Sequence, residues 1–290
     1  MIAITAKQLR KIYPTKPPVE ALKGVSIDIY EGETVALLGP NGAGKTTFLR
    51  IITGILLPDS GEVTISNCNS IKYPSRAARF FRFLPETPFL LRDNSLWENA
   101  RFWFEYWNEN FPHRNLYEIF TRFNLINRAQ EPLSRYSRGM LQKAALSFML
   151  ATEAPVIILD EPTLGLDVIS VKEVVDMINQ LKEIHKTLLI ASHAMTFVEK
   201  VADRVAIFND GKILEIEDIN YFKSRHSRPK YVVSYTYDQN GEIITETFTD
   251  SEEMNLRLKQ LLSNNIKIVE ATKYTDSLEE IVRLLLASGR

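Results

Sequence analysis

The sequence predicts an α/β core followed by a small α+β domain, and three observations carry that prediction. Up to about Lys223, apolar runs alternate with helical patterns, the order of an α/β core. One apolar run leads through a glycine-rich loop directly into a helix-like run. Beyond the polar, basic break "KSRHSRP" (Lys223 to Pro229), the pattern changes to short strands and amphipathic helices.

Taken in order, "ETVALLG" (Glu33 to Gly39) is a β-rich apolar run suited to a buried strand, and "KTTFLRIITGIL" reads as the helix after it. Between them, Gly39, four further residues, Gly44, Lys45 and Thr46 match the phosphate-binding loop G-x-x-x-x-G-K-[ST]. Glycines let backbone N–H groups approach an anion with no Cβ in the way. The helix beginning near Gly44 adds unpaired N–H groups and the positive end of its dipole. In this motif Lys45 reaches the β- and γ-phosphates and the Thr46 hydroxyl binds Mg²⁺.

The stretch from about Thr87 to Thr152 has no strand-like run and reads as a helical insert. Within it, Trp97, Ala100, Phe104, Trp107 and Phe111 recur at three- and four-residue steps, predicting one apolar helical face. Phe102, Trp103 and Tyr106 fall off that stripe. "VIILDEP" (Val156 to Pro162), "TLLIASH" (Thr187 to His193) and "RVAIFNDGKIL" (Arg204 to Leu214) read as strands, and "VKEVVDMINQLKEIH" (Val171 to His185) as a helix. After the break, "YVVSYTY" and "EIITETFT" flank "DQNG" (Asp238 to Gly241), an Asn-Gly hairpin signal. A helix, a strand and a last helix follow. That ββαβα order predicts a second domain over 228–290, with the first over 1–223.

Composition narrows the class. With 290 residues, 45% hydrophobic and 24% charged, the chain has ordinary globular usage. A formal net charge of −1 gives no general attraction to nucleic acid, and none is expected as a partner. The single cysteine, Cys68, rules out an intramolecular disulfide framework and suits a reducing compartment. "MIAITAKQLRKIYP" lacks the apolar core of a signal peptide, and no apolar run approaches the roughly 20 residues that cross a bilayer. A soluble, cytoplasmic protein is predicted.

The adjacent carboxylates Asp160 and Glu161 end an apolar strand run. Beside a phosphate loop, the first can hold Mg²⁺ through its water shell and the second can polarise an attacking water. With these residues in view, the chain resembles the ATP-binding subunit of ABC transporters. Gly39, Pro40, Asn41, Gly42, Ala43, Gly44, Lys45, Thr46 and Thr47 match its Walker A, and Val156 to Glu161 its Walker B. Leu164 to Asp167 resembles its D-loop, His193 its switch histidine, and Tyr13 the aromatic that stacks on adenine. Tyr136 to Met140 ("YSRGM") stands where the family has L-S-G-G-Q, with Ser137 and Gly139 kept. Glu86 stands where the family has a glutamine that senses Mg²⁺. Glutamate keeps an acceptor oxygen, loses the amide donor and can still ligate a hard cation.

The resemblance implies a P-loop ATPase core with an antiparallel β subdomain and a helical insert over about 87–152. It implies catalytic roles for Lys45, Glu161 and His193, metal ligation by Thr46, Glu86 and Asp160, and nucleotide contacts from Tyr13, the Walker A residues, Ser137 and Gly139. ATP and Mg²⁺ are the implied cofactors. A homodimer closing on two ATP molecules is implied, because Ser137 and Gly139 would meet nucleotide held by the other subunit. The implied membrane partner is an integral permease, which would place the ATPase on the inner face of the cell membrane, with a groove for a permease helix near Phe89 to Phe111. The final domain, including "SLEEI", resembles an extension found in ATPase subunits of bacterial exporters, so export is expected. Non-transport members of the class, regulatory or nucleic-acid-associated, fit less well. Translation factors carry two cassettes per chain, and repair ATPases insert a long coiled coil where about ninety residues here separate Lys45 from Ser137.

Overall fold

Two alternating strands begin the chain. β1 (Ile2–Tyr13) and β2 (Val19–Tyr30) pair antiparallel, with Ala6 opposite Ile27 and Tyr13 opposite Val19. β3 (Thr34–Leu38) is buried at all five positions, which suits a strand covered on both faces. It runs through the glycine loop into α1 (Lys45–Ile52). β4 (Ser60–Ile65) and the short β5 (Cys68–Asn69) complete a four-stranded sheet in the order β2-β1-β4-β5, all antiparallel. The computed structural model describes residues 1–227, 229–237 and 242–287.

After the single turn α2 (Pro74–Ala77), β6 (Phe81–Leu84) leads into three helices, α3 (Leu96–Tyr106), α4 (His113–Arg122) and α5 (Arg138–Ala151). The chain returns through β7 (Val156–Asp160), α6 (Val168–Glu183), β8 (Thr187–Ala191), α7 (Met195–Val201), β9 (Arg204–Asn209) and β10 (Lys212–Asp218). These strands form a six-stranded sheet ordered β10-β9-β3-β8-β7-β6. Its strands are parallel except for β10, which pairs antiparallel with β9. α1 joins the two sheets. Its Phe48, Leu49, Ile51 and Ile52 share one core with Ile4 and Val63 of the antiparallel sheet and Val35 and Phe208 of the parallel one.

Three sequence expectations are corrected here. "RVAIFNDGKIL" is not one strand: Asp210 and Gly211 take positive φ (45° and 74°) and fold it into the β9-β10 hairpin. The aromatic stripe is not one helix either. α3 stops at Tyr106, Asn108 turns with φ 56°, and Phe111 comes back against Trp97 (6.2 Å) and Phe104 (6.1 Å). Of the stripe, Ala100 and Phe104 are buried, whereas Trp107 is half-buried. Finally, Lys223–His226 is no break but the end of α8 (Ile219–His226), whose basic last turn suits the negative end of its dipole.

The structure divides into two compact units, Met1–Ile219 and Asn220–Arg290. In the second, β11 (Lys230–Thr236) pairs antiparallel with both β12 (Ile244–Phe248) and β13 (Lys267–Tyr274). α9 (Ser251–Ser263) precedes β13, and α10 (Leu278–Ala287) follows it. Val233 and Tyr235 pack on Leu261 of α9 as a small core. Arg257 ties α9 to the sheet by donating to Glu246 Oε1 (2.7 Å) and the Tyr235 hydroxyl (2.9 Å). The Asn-Gly turn at Asp238 to Gly241 lies outside the described residues.

Candidate functional site

The glycine loop needs glycine at both ends for one reason: a Cβ there would collide with a backbone carbonyl oxygen. At Gly39 (φ 153°) a Cβ would stand 2.2 Å from the Phe208 carbonyl oxygen, and at Gly44 (φ 105°) one would stand 2.5 Å from that of Ala21. Any other residue would push the loop off the sheet. Lys45 is 7% exposed and folds over the loop, its Nζ donating to the carbonyls of Gly39 (2.6 Å) and Pro40 (3.1 Å). Burial lowers its pKa, against the raising effect of Glu161 and Asp160 nearby.

A pocket of about 440 Å³ opens over this loop. Asn41, Gly42, Ala43, Gly44, Lys45, Thr46 and Thr47 line it from the loop and the start of α1; Tyr13, Glu86, Glu161 and His193 line it from elsewhere in the first unit. Val19, Ala21 and Leu164 also line it, and sequence reasoning did not single them out for it. The pairing of Tyr13 with Val19 is what brings β2 to the pocket beside the aromatic. The Tyr13 hydroxyl lies 3.3 Å from Thr47 Oγ1.

β7 delivers the two carboxylates differently. Asp160, the last residue of the strand, is 2% exposed and hydrogen-bonded to Thr46, while its Oδ2 is buried with no partner. Burial, then the charges of Glu161 and Glu86, push its pKa above the usual carboxylate value. An orphaned carboxylate oxygen beside a hydroxyl, with two more carboxylates near, is a donor set that a hard cation would satisfy. Among the described residues there is no group of three or more His, Cys, Asp or Glu that could hold a metal ion. The residues fit Mg²⁺ bound with a nucleotide.

Glu161 takes the left-handed conformation (φ 49°), unusual for a side chain of its size. Its Oε2 lies 2.8 Å from His193 Nδ1, and the Ser192 hydroxyl (3.5 Å) and the His193 N–H (3.4 Å) donate to the same oxygen. β7 and β8 are neighbours, so the residues beyond their ends meet. The His193 ring is thereby held on Glu161.

Ser137 and Gly139 are not brought into this pocket. Ser137 caps α5, accepting from the Met140 N–H at 3.3 Å. Tyr136, where the family has leucine, is buried with its hydroxyl on the Arg128 carbonyl (2.9 Å), and burial pushes its pKa up to about 12.

Loop, pocket and paired carboxylates define a nucleotide-binding cassette, and comparison with known proteins agrees. Residues 22–164 match the ABC transporter family model. The chain is 31% identical over 277 residues to the uncharacterized ABC transporter ATP-binding protein YdbJ of Bacillus subtilis (strain 168), covering 90% of this chain and 89% of that one. It is 28% identical over 311 residues to the bacitracin transport ATP-binding protein BcrA of Bacillus licheniformis, covering 99% and 98%. Among solved structures, a dimeric bacterial ABC transporter cassette matches with a TM-score of 0.69 and 25% identity, over 74% of this chain and 98% of that one. The chain belongs to the ABC transporter ATP-binding proteins, and its class is that of an ABC-type ATPase.

Proposed function

We propose that this chain binds and hydrolyses ATP as a homodimer and so drives export through a separate membrane permease, lying on the cytoplasmic face of the membrane. The observation that carries the reading is the split of the motif residues. Asn41 to Thr47, Glu161 and His193 line one pocket and Asp160 is hydrogen-bonded to Thr46 there, while Ser137 and Gly139 lie outside it, the split that a site shared between two copies would need. The ABC transporter cassette solved as a dimer supports the same arrangement. Among the described residues no helix is long and apolar enough to cross a membrane, so a transport pathway would need a partner. BcrA, a bacitracin transport ATP-binding protein matched over nearly its whole length, supports a role in transport.

In this reading Tyr13 packs against the base, and the loop N–H groups and Lys45 cradle the phosphates. Thr46, Asp160 and Glu86 would hold Mg²⁺, whose chemistry is to neutralise phosphate charge as it develops. Glu161, oriented by His193, takes a proton from the attacking water. A groove of about 290 Å³, lined by Phe89, Leu90, Trp103, Tyr106 and Trp107 among others, is where the permease helix would lie. The deciding experiment is Glu161→Gln. ATP affinity should stay, phosphate release should fall by roughly 10²–10⁴-fold as a general base is removed, and ATP should trap a closed dimer. Phosphate release at the wild-type rate would reject the reading.

A further inference from the structure

One face of α5 runs along the loop that carries Glu161. Gln142, itself 4% exposed, donates from Nε2 to the carbonyl oxygens of Pro162 (3.2 Å) and Glu161 (3.4 Å). One turn earlier, Gly139 lies so close to Gly165 that a Cβ would stand 2.7 Å from the Gly165 oxygen. One residue later, Lys143 Nζ reaches Asp167 Oδ2 at 3.2 Å. Positions three and four apart share a helix face, so these three contacts form a single seam.

Only Gln142 in that seam bears on Glu161 itself. Glu161 holds a left-handed conformation, which a non-glycine residue keeps only when its surroundings over-determine it. Its N–H is fixed to the Ala191 carbonyl at 2.8 Å, and its own carbonyl accepts from the Leu164 N–H at 3.1 Å. The Gln142 amide supplies the remaining grip, from α5. We propose that Gln142 is a positioning residue for hydrolysis: by holding the Glu161 and Pro162 carbonyls it keeps the Glu161 carboxylate aligned with His193. This rests on the reading of Glu161 as the base. It also gives α5, which Ser137 caps, a direct hold on the base of its own chain. Nucleotide engaging Ser137 from a second copy would then act on Glu161 through one side-chain amide.

The test measures phosphate release by the full chain with ATP and Mg²⁺. Gln142→Met keeps the length and removes the donor; Gln142→Glu keeps the shape and sets acceptors against two carbonyls. Each should lower kcat on the order of 10- to 100-fold, as displacement of a catalytic group does, with KM and calorimetric ATP affinity unchanged. Gln142→Asn, retaining an amide donor, should recover part of the rate. In a Glu161→Gln background neither substitution should slow the residual reaction further, because residues acting through one group are not additive. A multiplicative loss in that background overturns the proposal. So does wild-type kcat in a folded Gln142→Met or Gln142→Glu protein. If Gln142→Met folds poorly, the Glu variant gives the same decision. The two readings fail separately: an inactive Glu161→Gln beside a fully active Gln142→Met removes only this proposal, whereas an active Glu161→Gln removes the base assignment and this proposal together.

Discussion

Asp167 illustrates how much one side chain does at the turn into α6. It caps the helix by accepting from the Ser170 N–H (2.9 Å) and pairs with Lys143 (3.2 Å). The hydrogen bonds from Ser170, with Lys143 adding, hold its pKa down to about 2 from 3.8. A carboxylate whose folded pKa is depressed contributes stability that is present above the unfolded value and is lost as pH falls toward the folded one. The contribution should therefore fade between pH 3.8 and about 2. Asp167→Asn keeps a capping oxygen but cannot titrate, so its melting temperature should depend less on pH over that window than the wild type's. Asp167→Ala should be about 1 kcal/mol less stable at neutral pH, the usual cost of a lost N-cap. Parallel melting curves for Asn and wild type across the window would reject the assignment. The sequence pattern begins this helix at Val171 and places Asp167 in the loop before it, so the cap is missed by one turn; the pair with Lys143 is not legible either, since the two lie in separate segments.

At the scale of elements, the ion pair of Arg82 and Glu109 fastens the edge strand β6 to the helical segment. Both side chains are buried, at 6% and 7% exposure. Glu109 also accepts from the Thr152 hydroxyl (2.6 Å) and the Glu153 N–H (2.9 Å), and Arg82 lies 5.0 Å from the Trp107 ring centroid. Removing one partner of such a pair strands a buried charge, so Glu109→Ala should lose roughly 3–5 kcal/mol in urea unfolding. Replacing both residues with apolar ones should recover most of it. The same region carries the groove. Phe89 is 73% exposed, so Phe89→Asp should leave the fold and basal ATPase intact and abolish co-purification with the permease; retained binding would move the dock elsewhere. How much of these elements could be read in advance follows the range of the forces. β3, β7 and β8 are unbroken apolar runs because both faces are covered, and the phosphate loop is specified within a few residues, so all were legible. The return of Phe111 onto Trp97, and Gln142 as a polar residue sealed under the Glu161–Pro162 loop, depend on contacts distant in sequence. A period count along the chain cannot register them.

At the scale of the molecule, the second unit is the part whose purpose is least bound to the nucleotide site. The alternation of ββαβα in the sequence foretold its elements, but α8 was hidden because its last turn is polar and basic, the composition of a linker as well as of a helix end. Every residue lining the nucleotide pocket, from Tyr13 to His193, belongs to the first unit. That unit closes its own core between two sheets and α1, while the second has a separate core around Val233, Tyr235 and Leu261. Units with independent cores fold independently in principle. A chain ending at Ile219 should therefore fold cooperatively and bind ATP with unchanged affinity by calorimetry. What it should lose is self-association or its control, measured by sedimentation in the Glu161→Gln background with ATP present. Deleting a unit that only packs passively would leave that dimer untouched, and such a result would assign the second unit no part in assembly. A large drop in ATP affinity would instead mean that residues beyond Ile219 shape the pocket, against a lining drawn wholly from the first unit.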